Sequence, residues 1–398
     1  MTSASDAADA RSTLALTALY FSSFAALGIF LPYFNLYLLH RGFVPWQIGI
    51  IAAVPALLKI VIPAFFGLAA DRTGSRRRLI IVTSAATTVS FSLLLNVSGF
   101  IGILFVIILF ATAWAPVLPL VEATTLETVD RLKRFDYGRI RVWGSVGFIV
   151  ATVVMGLLLD HFSDRIVLYG VSVMFVATTA AAWGVPEAAS AAGSTPVTLS
   201  VILRRRSMPL FYAACILMQL GHGTYYGFFS IALEADRFST SAIGTLWTIA
   251  VVAEVAFMFW AGRAVWRFGV VPLFAFTFVA AAARWGLMAA APGMAGLIVA
   301  QTLHALSFGA FHIAAVTIIH HSVPSNLRAT GQTLYSSLAY GVGSGLGLLI
   351  NGWLYDAWGP TVLFGLSALV SGAGLLLALR FLTVSEWRFT ERASNVAP

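Results

Sequence analysis

The sequence predicts an all-α membrane protein, with twelve transmembrane helices in two pseudo-symmetric six-helix bundles. Three observations carry this. The 398 residues are 59% hydrophobic and only 10% charged, more apolar than a soluble domain of this size tolerates. The apolar residues fall into twelve runs near the roughly 20 residues that an α-helix needs to cross hydrocarbon. A glycine- and arginine-marked loop near residue 67 recurs 195 residues later, about half the chain on, as if one unit were written twice. Alternation at period two is absent, which argues against a membrane β-barrel. In lipid, backbone polar groups must be bonded internally, and helices do this.

The runs are 14–38, 45–69, 79–98, 99–121, 139–159, 166–185, 209–232, 241–262, 270–290, 293–318, 329–354 and 360–382. They divide into a first bundle (1–186), a cytoplasmic linker (187–207) rich in Ala and Ser with Gly193 and Pro196, and a second bundle (208–398). Placing both termini in the cytoplasm puts nineteen of the 24 Lys and Arg inside, three (Arg41, Arg165, Arg237) outside and two (Lys59, Arg284) within spans. That asymmetry fixes orientation and explains the net charge of +8 without nucleic acid. The expected location is a bacterial inner membrane. The first residues carry no basic region of a cleavable signal. The single cysteine, Cys215, sits inside the seventh run and reads as a packing residue.

Taken in order, helix 1 carries Tyr33, Asn35 and Tyr37, which suit a pocket for a ring-bearing ligand or, for Tyr37, an interfacial aromatic belt. Helix 2 opens with Pro45 and Trp46 and puts Ala52, Pro55, Ala56, Lys59 and Pro63 on one face. Lys59 lies roughly 21 Å into the run. A lysine at that depth costs roughly 2.5–3.5 kcal/mol and needs an anion, from the protein or from a ligand. Glu122 follows the fourth run, and Arg141 opens the fifth in Asp136-Tyr-Gly-Arg-Ile-Arg141-Val-Trp-Gly-Ser145, so the two can face each other. Arg328-Ala-Thr-Gly331 repeats the Arg141-x-x-Gly144 spacing in the second half. Helix 7 contains Gly221-His222-Gly223-Thr-Tyr-Tyr226-Gly227, where glycines allow bending or close helix approach. Glu254 is central in helix 8, Arg284 in helix 9, His304 and His312 in helix 10. Gly341, Gly343, Gly345 and Gly347 imitate a dinucleotide fingerprint, but no strand precedes them, so they read as helix packing. No metal-ligand cluster, phosphate loop or nucleophile–base motif lies in an aqueous segment, so an enzyme is not expected.

The recurring loop is Gly67-Leu-Ala-Ala-Asp71-Arg72-Thr-Gly74-Ser-Arg76-Arg-Arg78, with a worn twin in Gly262-Arg-Ala-Val-Trp266-Arg267-Phe-Gly269. The same offset of 195 carries Lys59 onto Glu254, so opposite charges stand at matching depths of the two halves. The Gly67–Arg78 pattern resembles the loop signature of the major facilitator superfamily, which implies alternating access by two rocking halves around a midplane site.

Asp136–Ser145, Gly221–Gly227, Leu246–Glu254 and Ala283-Arg284-Trp-Gly286 are similar to the 3-phenylpropionate group of proton symporters, over essentially the whole chain. That resemblance implies proton-coupled uptake of a small aromatic carboxylate, with a cation at the Lys59 position and both His304 and His312 kept. Lys59 is then the expected partner of the carboxylate, with Tyr33, Asn35, Glu122, Arg141, His222 and Tyr226 around the ligand. Glu254 is the expected proton carrier, with Arg284 tuning it and His304 or His312 sharing the proton. Gly67, Asp71, Arg72, Gly74 and Arg76 would gate, Asp71 and Arg72 latching the halves. A more distant likeness to the lactose permease family maps its sugar-binding acid and arginine onto Glu122 and Arg141. Ser307 stands where that family has its proton-carrying glutamate, so its coupling route does not transfer. The alternatives are a proton-coupled sugar or nucleoside symporter, a drug exporter, or a membrane sensor on a transport-inactive fold. The expected partners are a small organic anion and the bilayer; the chain is expected to act as a monomer without a cofactor, driven by the proton gradient.

Overall fold

The computed structural model describes residues 2–132, 136–187, 202, 207–290, 293–324 and 327–384, with the side chains of 2–8 and 71 excepted. The expected linker, 187–207, thus lies almost wholly outside the described residues. Among the described residues all regular structure is helical. The helices group into the expected passes: α1 (Thr2–His40), α2 (Pro45–Leu58 and Ile62–Thr73), α3 (Arg76–Ser92), α4 (Phe100–Trp114 and Val117–Leu132), α5 (Tyr137–Leu159) and α6 (Ile166–Ala182). The second half has α7 (Ser207–Gly221 and Gly223–Ala235), α8 (Thr240–Met258, then Ala261–Phe268), α9 (Val270–Ala289) and α10 (Met294–Thr302 to Phe311–Ser322). A continuous run from Arg328 to Val384 holds α11 and α12, divided where Gly359 takes φ 66°, a conformation that glycine adopts freely.

The breaks within passes have local causes. Pro63 lacks an N–H, and its ring would strike the carbonyl of Lys59, so α2 opens at 59–61. Pro119 acts likewise on Ala115 in α4. α7 turns at His222 between two glycines. In α10 and α11, π-helical turns at Ala305–Ala310 and Ser336–Gly343 follow His304 and Tyr335, wide turns of the kind that often mark functional sites.

Within the first half α1 packs on α5 and α6, and α3 on α4 and α6; in the second, α7 packs on α11 and α9 on α12. The halves meet chiefly through α2 with α11 and α5 with α8. The glycine stripe of α11 serves both contacts. A Cβ on Gly343 or Gly347 would strike the backbone carbonyls of Ile216 and Leu220 in α7, whereas Gly341 and Gly345 face Ile60 and Leu57 of α2. Large apolar side chains such as Ile101, Phe105, Leu369 and Leu376 face outward, as lipid-bathed helices require.

Hydrogen bonds between the halves fall, among the described residues, at the end where α1 finishes, with one nearer the middle. At the His40 end, Tyr33 Oη, which donates to Thr152 O of its own half (2.8 Å), also reaches across to the carbonyl of Thr240 (3.5 Å). Asn35 Nδ2 donates to the carbonyls of Tyr226 (3.3 Å) and Gly227 (2.9 Å). Thr240 Oγ1 donates to Gly156 O and to Asp160 Oδ1. The middle contact is Ser337 Oγ to Ile60 O, 3.3 Å. The His40 end is therefore the closed end of the assembly.

Candidate functional site

Lys59 stands where α2 is broken. Its accessible surface and its depth point in opposite directions, and both hold: the side chain is exposed to solvent, yet protein is dense around its ammonium. That combination fits an internal space open to water better than a lipid-facing position. Among the described residues no carboxylate lies within ion-pair distance of it, so the cation that the bilayer makes costly is left for an outside anion.

Across the bundle, Arg284 is fully buried and held on all its nitrogens. Nε donates to Ala300 O (3.0 Å), Nη1 to His304 Nδ1 (2.8 Å) and Ser307 Oγ (3.3 Å), and Nη2 to Gln301 Oε1 (3.3 Å). Its guanidinium also lies over the rings of Tyr225 (4.3 Å) and Trp285 (4.4 Å). A guanidinium has no acceptor, so His304 Nδ1 must accept, and the neutral imidazole carries its hydrogen on Nε2. That Nε2 lies 3.9 Å from Glu254 Oε2, within a small movement of a hydrogen bond. A second proton on His304 would break the Arg284 bond and set two cations side by side. Glu254 keeps 17% of its side-chain surface and is thus the member of the row that water can reach.

Arg141 of α5 stands near Glu122 of its own half and near Glu254 and His312 of the other. It makes no ion pair within 4 Å with Glu122; its guanidinium lies instead over Phe24 (4.1 Å) and Tyr20 (5.6 Å). His312 Nδ1 is 3.2 Å from both Tyr335 Oη and Tyr340 Oη, apart from the Arg284–His304 row. Tyr226 is half-buried, near Tyr340 and Glu254.

The other expected ligand contacts sit differently. Tyr33 and Asn35 are buried, and their polar atoms are engaged by backbone carbonyls at the closed end. His222 is fully buried, donating Nδ1–H to Met218 O at 2.8 Å, so it supports the break in α7 from behind the site. In the loop motif, Gly74 at φ 62° caps α2, Arg72 is exposed, and Arg76 pairs with Glu127 of α4 at 2.9 Å, all in the first half. Gly67 has open space around it, and the Asp71 side chain lies outside the described residues. The expected latch between halves is not engaged by Arg72 or Arg76 in this state. Sequence reasoning passed over Tyr225, Gln301, Tyr335, Tyr340, His40, Glu234 and Asp160, whose partners stand far from them in the chain.

Comparison with known proteins agrees with this architecture. Residues 13–366 match the model of the MFS_1 like family. A probable 3-phenylpropionic acid transporter of Escherichia coli (strain K12) is 30% identical over 90% of this chain and 95% of the relative. The maltose permease of Geobacillus stearothermophilus is 26% identical over 90% and 92%. The crystal structure of the nucleoside transporter NupG superposes with a TM-score of 0.80 over 94% of this chain and 99% of that one, at 19% identity. The chain therefore belongs to the MFS_1 like family of the major facilitator superfamily, and is a membrane transporter and not an enzyme.

Proposed function

We propose that the chain is a proton-coupled importer of a small aromatic carboxylate of the 3-phenylpropionate kind, working by alternating access in a bacterial inner membrane. The observation that carries this reading is the unpaired, water-reachable ammonium of Lys59. The ionic interior comprises Lys59, Arg141 and Arg284 against Glu122 and Glu254, a cationic excess that suits an anion. Protonating Glu254 raises that excess, so proton and anion favour each other's binding, which is the linkage a symporter needs. Arg284 fixes the His304 tautomer, and Glu254 carries the proton. With both termini cytoplasmic, as the arginine asymmetry favours, the closed His40 end faces outward. The transporter works as a single chain and needs no cofactor beyond the gradient. The likeness to the E. coli phenylpropionic acid transporter supports the cargo class.

The test is uptake of labelled 3-phenylpropionate into liposomes reconstituted with the protein, under an imposed inside-alkaline gradient. Gradient-dependent accumulation is expected; its absence overturns the proposal. A second reading, a neutral sugar or nucleoside held by Glu122 and Arg141, is favoured by the Arg141–Phe24 stacking and the maltose permease relative. Unlabelled maltose, a nucleoside and a cationic drug as competitors separate these cargoes: strong competition by one of them selects it over the aromatic acid.

A further inference from the structure

We propose that His40 is a proton-operated latch. Its imidazolium, caught by Glu234 of the opposite half and backed by Asp164 of its own, holds this end of the bundle shut, and its neutral form loosens it. The proposal goes beyond the reading above and holds whatever the cargo.

Both ring nitrogens of His40 face carboxylates. Nε2 lies 2.9 and 3.0 Å from the two oxygens of Glu234, and Nδ1 lies 3.8 Å from Asp164 Oδ2. A neutral imidazole has one N–H and can serve one of them; the other nitrogen then turns a lone pair toward a negative charge. Only the doubly protonated ring suits both neighbours. Glu234 ends α7 and His40 ends α1, so the contact spans the two halves. It lies beside the Asn35 and Thr240 contacts that already close this end. A cavity of about 410 Å³ opens onto the three residues, giving water and protons access to the ring. Histidine is the side chain that changes charge near neutrality.

The other charged groups around it come from three elements. Tyr37 and Arg41 belong to the end of α1; Asp160, His161 and Arg165 to the α5–α6 turn; Asp236 and Arg237 to the end of α7. Arg41 and Arg165 oppose a further cation, whereas the two carboxylates, within ion-pair distance of the ring, favour it. Burial disfavours ionised Asp160, yet hydrogen bonds from Ser241 and Thr240 outweigh it and hold this carboxyl below its ordinary range. Its contribution is present above the ordinary carboxyl range and is lost only as pH falls through that lowered value, so between pH 5.5 and 8 it is constant.

Spin labels at Ser163→Cys and Ala235→Cys, both exposed positions flanking the latch, report opening by electron–electron distance measurement in the full chain. Cys215→Ala leaves these the only thiols, and Glu254→Gln in every sample silences the interior carboxyl assigned to the proton. Partly exposed ion pairs of this kind shift populations modestly, so the long-distance population should rise roughly two- to fivefold from pH 5.5 to pH 8. With His40→Gln, which keeps a donor toward Glu234 but never charges, the rise should vanish, and Asp164→Asn should shrink it. An equal rise in the His40→Gln chain, or a flat response with His40 present, overturns the proposal.

Discussion

Replacing Lys59 by Gln removes an exposed interior cation for which the described protein supplies no carboxylate within ion-pair distance. A carboxylate about 4 Å from the ammonium gains roughly 4 kcal/mol at an effective dielectric near 20. Most of that is offset by stripping water from both ions. What remains is the net worth of a charge-assisted hydrogen bond, about 1.5–3 kcal/mol. Lys59 is exposed and therefore screened, so the lower end applies. About 1.5 kcal/mol is roughly a tenfold loss of affinity. Titration calorimetry on purified protein at pH 7 should show the dissociation constant for 3-phenylpropionate rising about tenfold in Lys59→Gln and largely recovering in Lys59→Arg. The neutral amide of the same acid should bind all three proteins alike. Undiminished binding of the acid to a folded Lys59→Gln chain would refute the reasoning, because Lys59 is the group assigned to the carboxylate.

Glu254→Gln should abolish uphill accumulation under a proton gradient while sparing counterflow exchange; uphill uptake that survives assigns the proton elsewhere. His304→Asn and His304→Gln should differ, since a fixed donor at the Nε2 position is what faces Glu254. The Gln chain should keep more of the gradient-driven uptake, by roughly an order of magnitude, and equal loss would remove the tautomer argument. Gly347→Ala places a methyl 2.5 Å from the Leu220 carbonyl, an overpacking that costs about 1–3 kcal/mol; melting in detergent should fall by several degrees, and an unchanged melting temperature would count against the α7–α11 contact.

The sequence alone determined the class and the repeat, because bilayer thickness sets the length of every run and the 195-residue offset survives in the chain itself. It determined also that Lys59, Glu254 and Arg284 are expensive, since depth along a run is read by counting. It could foresee the glycine stripe of α11 as packing, but not that alternate glycines would serve two different neighbours, α7 and α2. Which charges meet was decided by tertiary structure alone. Arg284 and Glu254 both converge on His304 because α8, α9 and α10 pack side by side, and no spacing in the chain encodes that. Tyr33 and Asn35 suited a ligand pocket in the sequence because aromatic groups and one amide stand together there; only folding showed that their polar atoms also meet backbone carbonyls. His40 drew no notice in the sequence, because its partner is a carboxylate 194 residues away that folding brings to within 2.9 Å of it. Apolar cost is local and additive along a chain, whereas the pairing of polar groups depends on where distant segments come to rest.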